Sequence, residues 1–137
     1  AAFSDAVGHS MVDDLKEYAE SLAKNAGHTT CITDKEQIVA ASGTAKKEFL
    51  EKHISQQLED IIAKRNTVIA KRQEKGFVPI LEVDNENIYS HELITPIISE
   101  GDVLGAIIMI SDTEPLGELE GKLVATAAGI LGKQMEQ

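Results

Sequence analysis

Apolar and polar residues follow one another in patterns that predict a helix at each end of the chain. Near the start, apolar side chains recur every three or four positions through residues 4–26, which is the spacing of one helix face. Gly27 then stands where a helix C-cap glycine belongs. A second stripe of this kind predicts a final helix over residues 116–135, with Pro115 near its first turn.

Two short β-rich runs follow the first helix. Residues 28–33 and 37–42 flank a polar turn over 34–36, and together they predict a hairpin. Two longer apolar runs, 94–98 and 103–110, flank the turn Ser99-Glu100-Gly101-Asp102 and predict a second hairpin. Gly105 lies early in the last run, where we expect a neighbouring chain segment to approach closely.

The middle of the chain is less regular. Thr44 and Ser55 are placed to cap two helices, one near residues 45–52 and one with the helical spacing Leu58, Ile61, Ile62 and Ile69. The alternative is an interruption of this second helix at Asn66-Thr67, since both residues favour caps over helix interiors. A polar loop over 71–76 follows, then a predicted strand over 77–83. Pro79 favours an edge position for that strand because proline has no N–H to donate. A turn over 84–87 leads into a strand over 88–98.

This order of elements predicts an α+β domain. A helix, a hairpin, short helices with a loop, three strands and a last helix form an antiparallel sheet flanked by helices, with the N- and C-terminal helices packed together on one face. The plan resembles that of GAF and PAS-like sensing domains. A length of 137 residues fits one domain, 1–137, that can bury its own core.

Charge and cysteine content narrow the class of function. The net charge of -10 disfavours direct binding to nucleic acid or to an anionic membrane, although residues 46–75 carry eight basic and five acidic residues. The apolar runs are too short to span a bilayer. Cys31 is the single cysteine, and with no signal peptide it favours a cytoplasmic location. We expect Cys31 to be a buried core residue rather than a nucleophile.

Several segments resemble one known family. The resembling stretches are Gly27-His28, Ile32–Asp34, Ile38–Gly43, Lys46–Leu50, Ile54-Ser55, Gly101–Ala106 and Ala127–Gln137. They are similar to the C-terminal GAF-like domain of the stage V sporulation protein T family, which are AbrB-family transcription regulators. The resemblance extends from about residue 10 to the end, and it is loose around 66–92.

The resemblance implies a regulatory domain of a sporulation transcription regulator. Family members join an AbrB-like DNA-binding domain to a GAF-like domain that is thought to sense a small molecule and to assemble the oligomer. We therefore expect DNA to be contacted only through an N-terminal domain that this chain lacks. The expected partners are an unknown small molecule and further copies of the chain, as a homodimer or a higher oligomer, with no membrane contact.

A ligand pocket is implied between the sheet and the middle helices. The candidate ligand-binding residues are Ser42, Phe49, Ile54, Ile61, Tyr89 and His91, with Ile32, Ala40, Leu58, Ile62 and Met109 as further walls. Aliphatic walls with a few polar groups suit a small and mostly apolar ligand. The alternative is that these residues fill the core and leave no cavity.

Two further sets of residues are candidates for binding. Gly43, Thr44, Lys46 and Lys47 lead into a predicted helix start and could hold an anion, or could form an ordinary capped turn with solvated lysines. The apolar stripes of the terminal helices predict an oligomer interface that consists of Leu15, Leu22, Leu119, Leu123, Ala127, Ile130 and Leu131.

The sequence does not indicate a metal or catalytic site. The chain has four histidines, His9, His28, His53 and His91, and none has metal-ligand spacing to another, so we expect no metal. We also expect no cofactor and no catalytic residue. One alternative function is an oligomerisation module without a ligand. Another is a small enzyme of GAF-like fold, such as a free methionine sulfoxide reductase, whose chemistry needs several reactive cysteines.

Overall fold

A computed structural model describes residues 2–83 and 89–136, with side chains from residue 11 onward. Its elements in chain order are α1 (Ala2–Ala26), β1 (Thr29–Thr33), β2 (Ile38–Ser42), α2 (Lys46–Phe49), α3 (Gln56–Ala63), β3 (Val68–Lys71), β4 (His91–Ser99), β5 (Asp102–Ser111) and α4 (Glu118–Gln134). The α+β class is confirmed, and α1 and α4 lie together on one face of the sheet. No helix in the described ranges is both long and apolar enough to cross a membrane.

The described strands form one antiparallel sheet in the order β2-β1-β5-β4-β3. Its centre is the predicted hairpin of β4 and β5. Glu100 and Gly101 turn the chain with φ values of 52° and 84°, the left-handed conformation that a tight two-residue hairpin turn requires. The second strand of this hairpin also pairs with β1, so both of its edges are covered.

Each face of the sheet carries its own apolar core. The first core lies under α1 and α4 and contains large buried side chains such as Leu15, Leu93 and Leu131. The second core lies under α2, α3 and the irregular chain before β4, and Phe49 and Leu58 are its large members. Cys31 is confirmed as a buried free cysteine of this second core. Its pKa is raised to about 12 by burial, so the thiol stays neutral.

The helix ends agree only in part with the sequence. Gly27 adopts φ 77° and its N–H donates to the carbonyl of Ala23 at 2.8 Å, which confirms the predicted C-cap. The last helix begins later than predicted, because Gly117 is its N-cap. The Glu120 carboxylate accepts a hydrogen bond from the Gly117 N–H at 2.8 Å and fixes that start.

Three predictions for the middle of the chain are wrong. Ile69 lies in β3 and not on a continuing helix, because α3 ends at Ala63 and Arg65 turns the chain with φ 62°. Thr44 does not cap α2, whose N-cap is Ala45. The segment 77–83 forms one isolated bridge, Ile54 to Leu81, instead of a strand. The predicted turn over 84–87 lies outside the described residues.

Two glycines allow close backbone contacts. A β-carbon on Gly105 would lie 1.8 Å from the carbonyl oxygen of Thr33, which confirms the predicted close approach. A β-carbon on Gly132 would lie 2.0 Å from the carbonyl oxygen of Ile98. The last helix therefore rests directly on the backbone of β4.

We predict opposite effects of alanine at two glycines of α4. Gly132→Ala must push the helix away from Ile98 and should lower the free energy of unfolding by about 2 kcal/mol, a typical overpacking cost. Gly129 faces open space, so Gly129→Ala should raise the free energy of unfolding by about 0.5–1 kcal/mol through helix propensity alone. Urea denaturation of both variants measures these changes in the free energy of unfolding. Equal changes would contradict the close contact between Gly132 and Ile98.

Candidate functional site

A short segment, residues 77–82, covers the second core without joining the sheet, and we call it the strap. Ile80 and Leu81 are buried in that core, whereas Phe77 and Val78 are half-buried at its edge. Because the strap lacks strand pairing over most of its length, its backbone needs other partners. Three side chains supply some of these partners, and isolated backbone hydrogen bonds supply others.

Ser55 holds the middle of the strap. Its Oγ accepts from the Leu58 N–H at 3.0 Å, which confirms the predicted cap of α3, and it donates to the carbonyl of Pro79 at 2.5 Å. The Ser55 N–H donates to the carbonyl of Ile80 at 2.9 Å. One residue therefore joins the helix start to the strap.

Tyr89 and Glu92 hold the strap from the sheet side. The Tyr89 hydroxyl accepts from the Ile80 N–H at 3.1 Å, and a Glu92 oxygen, Oε1, accepts from the Val78 N–H at 2.8 Å. Glu92 is fully buried, and its second oxygen has no hydrogen-bond partner among the described residues. Burial raises the pKa of Glu92 to about 8, against the lowering effects of the Val78 N–H and the nearby Arg72.

An open cleft lies between the strap and the start of α3. Its volume is about 430 Å³, and its lining includes Ser55, Gln56, Gln57, Arg72, Phe77, Pro79, Leu81, Glu82 and Tyr89. The Arg72 guanidinium lies 4.7 Å from the Phe77 ring centre and 5.4 Å from that of Tyr89, and it donates to the Tyr89 carbonyl. The two rings are themselves 5.8 Å apart, so the guanidinium packs against a pair of aromatic side chains that contact each other.

The predicted ligand residues divide between the two faces. Phe49, Ile54, Ile61 and Tyr89 belong to the second core or pack against it, and of these only Tyr89 lines the cleft. The predicted walls Leu58 and Ile62 also lie in this core. Phe49 supports Tyr89 from below, with ring centres 6.0 Å apart.

Placing the remaining predicted ligand residues in the same pocket was wrong. Side chains alternate along a strand, so His91 lies on the opposite face from Glu92, and Ser42 lies on the same face as Ala40. That face belongs to α1 and α4, and it also holds the predicted walls Ile32, Ala40 and Met109.

The four candidate anion residues form an ordinary exposed turn. Gly43 O accepts from the Lys46 N–H at 3.2 Å, and the Ala45 N–H is satisfied by the Thr29 hydroxyl at 3.1 Å. Thr44, Lys46 and Lys47 are exposed, and α2 has only four residues. The nearby depression, of about 200 Å³, includes Thr44 but also Asp112 and Glu114. These acids oppose an anion there.

The predicted interface residues also divide into two groups. Leu15, Leu22, Ala127 and Leu131 are buried in the first core, so they hold the protomer together. Leu119, Leu123 and Ile130 are 76%, 37% and 47% exposed and form a row along α4. Thr126 continues this row, which therefore has alternating steps of four and three residues.

Two residues of the site, Arg72 and Glu92, are absent from the set predicted from the sequence. Glu92 begins the apolar run of β4 in phase with Ile94, at a position that alternation places toward the core. A charge at such a position is a recognisable signal for a functional or strained site. Arg72 had no such signal, because it follows Lys71 in a polar stretch.

Known proteins match nearly the whole chain. Residues 12–136 match the family described as "Stage V sporulation protein T C-terminal, transcription factor". Stage V sporulation protein T of Bacillus subtilis is 38% identical over 125 residues, which cover 91% of this chain and 68% of that protein.

Solved structures of GAF domains share the fold at low identity. A GAF domain from an Acinetobacter phosphoenolpyruvate-protein phosphotransferase has a TM-score of 0.73 and 13% identity, over 98% of this chain and 87% of that one. The cofactor-binding GAF domain of the nutrient sensor CodY from Clostridium difficile has a TM-score of 0.69 and 12% identity, over 88% of this chain and 83% of that one. The type II free methionine-R-sulfoxide reductase from Thermoplasma acidophilum has a TM-score of 0.70 and 11% identity, over 92% of this chain and 93% of that one.

We predict a pH-dependent stability that Glu92 controls. The pKa of Glu92 is higher in the folded chain, about 8, than its ordinary value of 4.5, so the folded state binds the extra proton between these values. The contribution of Glu92 to the free energy of unfolding is therefore complete below pH 4.5. It is lost as the pH rises toward 8, by at most about 1.4 kcal/mol per pH unit. Glu92→Gln should remove this pH-dependent contribution.

Urea denaturation from pH 5.5 to 7.5 tests this dependence. The free energy of unfolding of Glu92→Gln minus that of the wild type should rise with pH, because all other groups titrate alike in both proteins. The matched control is Glu82→Gln, since Glu82 is exposed and its difference should stay constant. A constant difference for Glu92→Gln would contradict the assignment.

Proposed function

We propose that this chain, which belongs to the stage V sporulation protein T C-terminal family of transcription factor domains, binds a small regulatory molecule in the cleft between the strap and α3. The observation that carries the proposal is the cleft itself. It lies at the edge of the second core, and apolar rings and polar groups line it together. The GAF domain of CodY, a nutrient sensor described as cofactor-binding, supports such a role by its similar fold.

The lining favours one class of ligand. Phe77, Pro79, Leu81 and the Tyr89 ring offer apolar surface, and the Arg72 guanidinium supplies a positive charge in the lining, which attracts a carboxylate. The positive end of the α3 dipole faces the same cleft at Gln56 and Gln57. A small carboxylic acid with an apolar or aromatic body fits both features. We expect no catalysis, since Cys31 is buried and neutral.

A second candidate function is oligomer assembly without a ligand. The row of Leu119, Leu123, Thr126 and Ile130 is exposed and, apart from Thr126, apolar, with the spacing of a helix that packs against another helix. This row supports the predicted homo-oligomer even if the cleft stays empty. A net charge of -10 disfavours DNA contact by this domain, so we expect either function to affect transcription without direct DNA binding by this domain.

We predict that carboxylates with apolar bodies stabilise the chain. Thermal unfolding should be measured with amino acids, aromatic and branched organic acids, and nucleotides. A ligand that binds only the folded state adds about 2.7 kcal/mol at 100 times its Kd. The stabilisation should be lost in Arg72→Gln and kept in Lys64→Gln, an exposed cation at the far end of α3. No stabilisation by any member of the panel would contradict the proposal.

We predict that charge in the exposed row weakens assembly. Deleting α4 is not a clean test, because the deletion would also remove Val124 and Leu131 from the first core. Ile130→Glu instead changes an exposed side chain, and Lys133→Glu is the control on the same helix. Sedimentation velocity should show a larger fraction of monomer for Ile130→Glu only. A wild-type chain that is monomeric at 100 µM would rule out this interface.

A further inference from the structure

Glu92 connects the strap to the sheet by a hydrogen bond whose strength and cost depend on a proton. We propose that Glu92 is a proton-operated latch, which keeps the Val78 end of the strap docked while its carboxyl group is neutral and lets that end open when the group ionises. That the latch regulates ligand binding in the cleft rests on the proposed function. That it controls docking of the strap rests on the geometry alone.

The geometry gives an ionised Glu92 nowhere to be solvated. Glu92 lies between Ala70 of β3 and Ile110 of β5, with the sheet on one side and the strap on the other. Its Oε1 accepts from Val78 while Oε2 is buried without a partner among the described residues. A buried carboxylate with one unpaired oxygen is costly, and access to water relieves that cost.

The strap is the thinnest cover over this carboxyl group. Val78 and Phe77 are half-buried, whereas Ile80 and Leu81 further along are buried. The later part of the strap is also held by Ser55 and by the Tyr89 hydroxyl. Release of the Val78 end of the strap therefore exposes Glu92 to water. This release breaks fewer contacts than a separation of the sheet strands around Glu92 would.

Few other groups near Glu92 carry charge or titrate. Burial outweighs the Val78 N–H and Arg72, which both favour the ionised form, so the pKa of about 8 lies close to neutral pH. Cys31 stays neutral, and the Tyr89 hydroxyl is engaged with the strap. The helices α2 and α3 contribute Phe49, Leu58 and Ile62 to this core, which are apolar.

Amide hydrogen exchange, read by NMR without any ligand, tests the latch. The protection factor of the Val78 N–H, corrected for the intrinsic rate, should fall at least tenfold between pH 6.5 and pH 9 in the wild type. In Glu92→Gln it should be constant, because the amide oxygen accepts the same bond at every pH. The Ile108 N–H in the middle of the sheet reports whether the whole fold loosens, and its protection should fall less.

Two results would overturn the latch. One is a Val78 protection factor that does not change with pH in the wild type, and the other is an equal fall in Glu92→Gln. If that variant folds poorly, the wild-type carboxyl carbon shift of Glu92 and the amide shift of Val78 should titrate with one midpoint, and different midpoints would equally overturn it. Because no ligand is present, a failed latch leaves the ligand-binding proposal intact, and a failed ligand screen leaves the latch intact.

Discussion

The whole domain depends on a central hairpin, β4 and β5, that must be kept from water on both faces. Most of its residues are apolar, and alternation places Leu93 and Ile97 in one core and Ile94 in the other. A strand of this kind needs a layer above it and a layer below it. The terminal helices supply one layer with long, regular stripes. Short helices and the strap supply the other, and this less regular layer leaves a cleft.

The two layers are coupled because they share β4. Glu92 faces the strap, while its neighbour Leu93 packs under the terminal helices. Gly132 brings α4 onto the backbone of the same strand at Ile98, with no side chain between them to absorb a shift. A change at the cleft can therefore alter the position of α4 and of its exposed row. Such coupling is allosteric only if a ligand binds two arrangements unequally, and the strap is the element for which we propose a second arrangement.

The sequence was sufficient to predict the fold wherever a pattern continued for several residues. The long stripe before Gly27 and the apolar runs around Glu100-Gly101 were located within a few positions. Short elements were predicted less well, because tertiary contacts outweigh local preference there. Ile69 continues a helical spacing only by chance, since the backbone turns at Arg65 and a free edge of β4 is available for pairing. Likewise, Phe77–Val83 has β-type residues but no neighbouring strand, so its backbone is held by a few side chains and by isolated backbone hydrogen bonds.

The candidate site was harder to predict because it depends on which face each residue adopts. Tyr89 and His91 are two residues apart and would share a face within a regular strand, yet β4 begins only at His91. The irregular chain before it turns the Tyr89 ring into the second core, whereas His91 follows the strand to the opposite side. The cleft is thus built from the ends of regular elements and from buried polar groups, where the periodic pattern stops. In this domain, the charged residue in phase with a core, Glu92, was a better guide to the site than the apolar residues around it.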